Sequence, residues 1–80
     1  MKLAIFVVDD ARADRAVDAL VRDGLRVTRL ASTGGFLRRG NTTLLVGAED
    51  NEVEQATAII HAQAPNSVLI IVPLERYEHL

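Results

Sequence analysis

Three short stretches, "LAIFVV", "TLLVG" and "VLIIV", are apolar at consecutive positions rather than alternate ones, in a chain of 80 residues with room for only two helices between them. A strand that is apolar on successive residues is expected to be covered on both faces of its sheet. Two helices cover one face. Such a fold leaves an apolar sheet face open, and another copy of the chain is the simplest thing to cover it.

The remaining pattern orders the elements. "KLAIFVVD", residues 2–9, reads as a strand, and Asp9 and Asp10 after it suit the cap of a helix better than a catalytic pair. Over residues 11–23 the apolar Ala13, Ala16, Val17, Leu20 and Val21 recur at helical spacing, and Gly24 is placed to close that helix as its C′ residue. "LRVTRLA", residues 25–31, alternates, which predicts a strand with Leu25, Val27 and Leu30 on one face and Arg26 and Thr28 on the other. "TTLLVGA", residues 42–48, is a third strand. "EDNE", with Asp50 as cap, starts a second helix carrying Val53, Ala56, Ile60 and Ala64, which Pro65 ends. "VLIIV", residues 68–72, is the last strand. The order βαββαβ predicts an α+β, ferredoxin-like sandwich, an antiparallel sheet with two helices on one face, in a single domain over residues 1–80.

Charge narrows the partners. The net charge of -2 argues against a general nucleic-acid binder. Its distribution is uneven: residues 24–48 hold Arg26, Arg29, Arg38 and Arg39 and no acid, a local +4, while the rest of the chain carries five basic and eleven acidic side chains. A small positive site on an acidic body attracts one compact anion and repels a long polyanion. There is no cysteine, no leader pattern and no apolar run near the roughly 18 residues that span a bilayer, so no membrane partner is expected and the cytoplasm is the expected location.

The acid-free span centres on "LASTGGFLRRGNTTLLVG", residues 30–47. Residues 35–42 come within one residue of the phosphate-loop pattern, with Asn41 in the lysine position, but that loop must run into a helix and this one runs into a strand. The match of Asn41-Thr42-Thr43 to a glycosylation sequon is chance. What remains is flexible backbone at Gly34, Gly35 and Gly40, able to present N–H groups to an anion, around the apolar Phe36 and Leu37. Two readings stay open. The loop is a hairpin connection whose Phe36 plugs a subunit interface, or it is a ligand site. In the second, Phe36 lies against a flat base, Arg26 with Arg38 or Arg39 meets phosphate, Asn41 meets a base edge and Thr28 either.

Other chemistries have less support. His61 and His79 lack the spacing of metal ligands, so no metal and no cofactor is expected. Ser32 lies in no nucleophile elbow, and the acid-free span offers no general acid or base, so no enzyme is expected. With only Phe6, Phe36 and Tyr77 as aromatics, the base-stacking platform of an RNA-recognition motif is missing.

"ASTGGFLRRGNTT", preceded by "GLRVTRL" and followed by "LLVG", resembles the signature of the P-II-like cyclic di-AMP receptor proteins, and "MKLAIFVVDD" and "VPLERYEHL" are similar to that family's ends. The resemblance implies a non-enzymatic sensor, a homotrimer with nucleotide sites between neighbouring subunits. Carried over by position, it implicates Arg26, Thr28, Gly35, Phe36, Leu37, Asn41 and Gly47 in ligand binding, with cyclic di-AMP as the ligand. Alternatives are another adenine nucleotide, or a ligand-free adaptor that binds a protein target through the loop. Members typically carry a long loop before the last strand, where this chain has only "HAQAPNS", implying a more open cleft. Gly24 stands where members often have asparagine, and His79 where they often have glutamine.

Overall fold

The computed structural model describes residues 1–30 and 40–75. Gly34, Gly35, Phe36, Leu37, Arg38, Arg39, Tyr77 and His79 therefore lie outside the described residues. The element order is β1 (Lys2–Asp9), α1 (Asp10–Arg22), β2 (Thr28–Leu30), β3 (Asn41–Ala48), α2 (Asp50–Gln63) and β4 (Val68–Pro73). The strands form one antiparallel sheet in the order β2-β3-β1-β4, the ferredoxin-like arrangement expected from the sequence.

The sheet is organised by β1 against β3. All eight residues of "KLAIFVVD" pair with "NTTLLVGA", from Lys2 opposite Ala48 to Asp9 opposite Asn41. Side chains alternate along a strand, so even positions of both strands share one face and odd positions the other. The even face holds Ala4, Phe6, Val8, Leu44 and Val46, all fully or almost fully buried under the helices. Ala13, Ala16 and Leu20 of α1 and Val53, Ala56 and Ile60 of α2 close the core from above. Phe6 and Leu20 are its largest fully buried side chains.

The odd face carries Leu3, Ile5 and Val7, with Val72, Ile70 and Val68 of β4 opposite them in register. No helix among the described residues covers this face. Val68 is 55% exposed, Ile70 49% and Val72 38%, the open apolar surface predicted from consecutive apolar residues.

Two expectations need correction. The second strand was expected over residues 25–31, but among the described residues it pairs with β3 at Thr28–Leu30, and residues 25–27 lie before it. The cause is the end of α1. Leu25 N–H donates to the Leu20 carbonyl at 3.0 Å and Gly24 N–H to the Val21 carbonyl at 2.9 Å, the paired bonds of a Schellman cap. Leu25 buries against the core beside Leu20, so it ends the helix before any strand begins. Leu30 was expected to share a face with Leu25 and Val27. It stands opposite Thr43, an odd position, and is exposed on the open face, while Arg29, opposite Leu44, takes the helix side. A period of two puts residue 29, not 30, in line with 25 and 27.

The cap of α2 is also displaced by one. Glu49, not Asp50, is the N-cap: its carbonyl accepts the Val53 N–H at 2.9 Å, and its own N–H donates to the Glu52 side chain at 3.1 Å. Asp9 caps α1 as expected, accepting the Ala11 N–H at 3.4 Å.

Gly24 has φ +84°, a conformation that costs little only for glycine and, less well, asparagine. Gly24→Ala is therefore expected to lower unfolding stability by about 1 kcal/mol and Gly24→Asn by less, read from denaturant midpoints at unchanged m-value.

Candidate functional site

The outer face of β2 and the adjoining end of β3 form a groove among the described residues. It has a volume of about 420 Å³ and is lined by Met1, Leu3, Arg26, Thr28, Leu45, Gly47 and Leu74. The sheet explains its make-up. Thr28 stands opposite Leu45, and Gly47 opposite Leu3, so three strands contribute odd-face positions to one depression. Arg26 belongs to the linking segment between the cap of α1 and β2, two residues before Thr28 and on the same side of the chain. Gly47 has no side chain, and any Cβ there would project from the odd face into the groove beside Leu3. Leu74 is held over the end of β1 by its N–H, which donates to the Met1 carbonyl at 3.1 Å.

Among the described lining residues Arg26 carries the one charged side chain. The ion pairs among the described residues are Arg29 with Asp14, Lys2 with Asp50 at 3.2 Å and the Met1 amino group with Glu49 at 3.8 Å, leaving Arg26 outside them. Arg29 is as close in sequence but faces the helices, and its guanidinium donates to the Asp14 carboxylate on α1. Of the arginines in the acid-free span, Arg26 alone among the described ones presents its charge to the groove. Its neighbours among the described residues of the lining are a threonine hydroxyl and apolar side chains, with no carboxylate or imidazole among them. A forked cation beside a hydroxyl on an apolar floor suits a phosphate carried by a flat or apolar body.

Of the residues singled out from the sequence, Arg26, Thr28 and Gly47 meet in this groove. Asn41 does not. It opens β3 on the same odd face but six residues before Gly47, about 20 Å away along an extended strand. Gly35, Phe36 and Leu37 lie outside the described residues. The sequence reading missed Leu3, Leu45, Met1 and Leu74. Their odd-face parity was readable in Leu3 and Leu45, but only the register of β1 with β3 sets Leu3 beside Gly47.

Asp10 is not a free carboxylate awaiting chemistry. It accepts the hydroxyl hydrogen of Thr42, and its backbone N–H donates to the Gly40 carbonyl at 2.8 Å. His61 lines a shallow, mainly apolar depression of about 510 Å³ between α2 and β4, together with Val53, Thr57, Leu69 and Ile71 and with Glu54 at its rim. Among the described residues no group of three or more His, Cys, Asp or Glu is arranged to hold a metal. No helix among them is long and apolar enough to cross a membrane.

The family model of the cyclic-di-AMP receptors matches residues 1–77, nearly the whole chain. The protein belongs to the cyclic-di-AMP receptor family. Among solved structures, this receptor is similar to a functionally unknown protein from Pediococcus pentosaceus ATCC 25745, at 27% identity and a TM-score of 0.85. That match covers 99% of this chain and 96% of the other. Membership of the cyclic-di-AMP receptor family supports binding of a small nucleotide, and the described lining, with one arginine and no acid among its residues, is compatible with that.

The Arg29–Asp14 pair is exposed, so its net contribution is small. Asp14→Ala is expected to lower unfolding stability by no more than about 1 kcal/mol in low salt and less in high salt, measured by chemical denaturation at two ionic strengths.

Proposed function

We propose that this receptor is a non-enzymatic, P-II-like sensor that binds cyclic di-AMP at clefts between the subunits of a homotrimer, each subunit a single domain. The observation that carries this reading is the groove in which Arg26, Thr28 and Gly47 meet, in a chain of the cyclic-di-AMP receptor family. Arg26 holds a phosphate oxygen through its fork, Thr28 supplies a hydroxyl to phosphate or ribose, and Gly47 leaves room for the nucleotide against the strand. Asn41 reads a base edge. Gly35, Phe36 and Leu37 complete the site, with Phe36 against an adenine.

Two features support a site shared between subunits. Asn41 lies about 20 Å along β3 from Gly47, too far for the two ends of one strand to grip the same phosphate and ribose. Neighbouring copies bring one subunit's groove toward another's β3 entrance. The odd sheet face also exposes Val68, Ile70 and Val72, and burying such a row between copies contributes about 25 cal/mol for each Å² of apolar area. The connection from α2 to β4 is only Ala64–Ser67, which leaves the cleft open on that side. The described part of the lining carries no carboxylate or imidazole, which is in keeping with binding rather than catalysis. A receptor for an intracellular second messenger works in the cytoplasm.

Titration calorimetry with cyclic di-AMP is expected to give saturable binding, and light scattering the mass of a trimer. Arg26→Ala is expected to weaken binding about tenfold to a hundredfold, the loss of roughly 1.5–3 kcal/mol for hydrogen bonds to a charged group. Arg29→Ala, on the other face, leaves affinity within about twofold, as for an exposed pair away from the ligand. A heat-silent titration together with a melting point unmoved by cyclic di-AMP sinks the reading; a shift with ATP or ADP alone reassigns the ligand.

A further inference from the structure

Asn41 sits between two residues that are both tied to Asp10. On its N-terminal side the Gly40 carbonyl accepts the Asp10 N–H at 2.8 Å. On its C-terminal side the Thr42 hydroxyl donates to the Asp10 carboxylate. Thr42 is 3% exposed and stands opposite Val8 on the helix face, whereas Asn41, opposite Asp9, is turned to the odd face. Gly40 has φ +88°, so the chain enters β3 through a turn that only glycine adopts readily.

We infer that Asp10 is a positioning residue for Asn41: by holding the buried Thr42 hydroxyl on the helix side, its carboxylate fixes which face Asn41 presents at the entrance of β3. The inference rests on the proposed role of Asn41 as a ligand contact.

The physical basis is strand parity. The face on which residue 41 appears is the opposite of the one on which residue 42 is held. The first pairs of a ladder are where a strand frays, and a slip there by one residue exchanges the two faces. Burial of an apolar side chain at position 42 would oppose the slip only weakly, because Thr42 lies at the edge of the core. A hydroxyl that is buried with its acceptor in place opposes it more strongly, because turning Thr42 out breaks that bond. Asp10 is suited to this task by position. As the first residue of α1 its backbone is held by the helix, which the cap at Asp9 and the burial of Ala13 and Ala16 keep against the sheet. Asp10 thus joins the rigid α1–β1 corner to the residue that enters the cleft, with its own carboxylate away from the ligand.

Asp10 also lies in the first turn of α1, where a negative charge interacts favourably with the helix dipole. Asparagine separates that effect from the hydrogen bond. Its amide oxygen still accepts from Thr42 but it carries no charge.

The test is a double-mutant cycle read by calorimetry with cyclic di-AMP, with circular dichroism and light scattering confirming fold and assembly. Asp10→Ala and Thr42→Val are each expected to weaken binding about tenfold, within the range of coupled neighbours, and together by no more than either alone. Asp10→Asn and Thr42→Ser, which keep the bond, are expected to stay within about twofold of the parent. In an Asn41→Ala background the effect of Asp10→Ala is expected to vanish. If Asn41→Ala weakens binding but Asp10→Ala and Thr42→Val do not, or if the Asp10 effect adds fully to that of Asn41, the positioning role is overturned while the site reading stands. If Asn41→Ala leaves affinity unchanged, the ligand role of Asn41 fails and the inference with it. Should Asp10→Ala not fold, the Thr42→Val and Thr42→Ser pair decides the same question.

Discussion

The pairing of β1 with β3 is the constraint on which the rest depends. Eight consecutive residue pairs, Lys2–Asp9 against Asn41–Ala48, set one parity for the whole sheet. Even positions go beneath α1 and α2, and Phe6 and Leu44 become fully buried. Odd positions go to the face away from the helices, and Leu3, Leu45 and Gly47 become the floor of a groove. Shifting the register by one would put Phe6 in water and Gly47 in the core, so the hydrophobic core and the groove are specified by the same interaction. Removing Phe6 costs about 3–5 kcal/mol in a core of this kind, and that burial is also what keeps Gly47 beside Leu3.

Two arginines of the described residues illustrate how the fold sorts like residues. Arg26 and Arg29 are three positions apart in a span without acids. The Schellman cap ends α1 at Leu25, and the strand that follows alternates, so Arg26 and Thr28 come out on one side and Arg29 on the other. There Arg29 meets Asp14. Among the described side chains the positive charge on the groove side thus comes from Arg26 and not from Arg29.

The long elements were readable in the chain because each carried a strong periodic signal. Phe6, Val8, Leu44 and Val46 alternate with partners that face the other way, Ala13, Ala16 and Leu20 recur at helical spacing, and Gly24 marks a helix end. Short-range details were less readable. Leu30 was assigned to the wrong face because a three-residue strand offers too few alternations to set its parity. Asp50 was taken for a cap that Glu49 supplies, since neighbouring acids satisfy the same pattern. The second strand was read too long because Leu25 and Val27 alternate as a strand would, while Leu25 is in fact held by the helix before it.

From its amino acids alone this chain specifies a βαββαβ order, an apolar sheet with one face uncovered, and a loop signature shared with the cyclic-di-AMP receptors, because these are properties of local periodicity and contiguous residues. Which of those residues stand together is a different kind of fact. Arg26, Thr28 and Gly47 share a groove with Leu3, Asn41 stands at the far end of the same strand, and Asp10 holds Thr42 across 32 positions of sequence. Each juxtaposition follows from the register of strands distant in sequence, which is set by burial of the whole core and appears in no single segment.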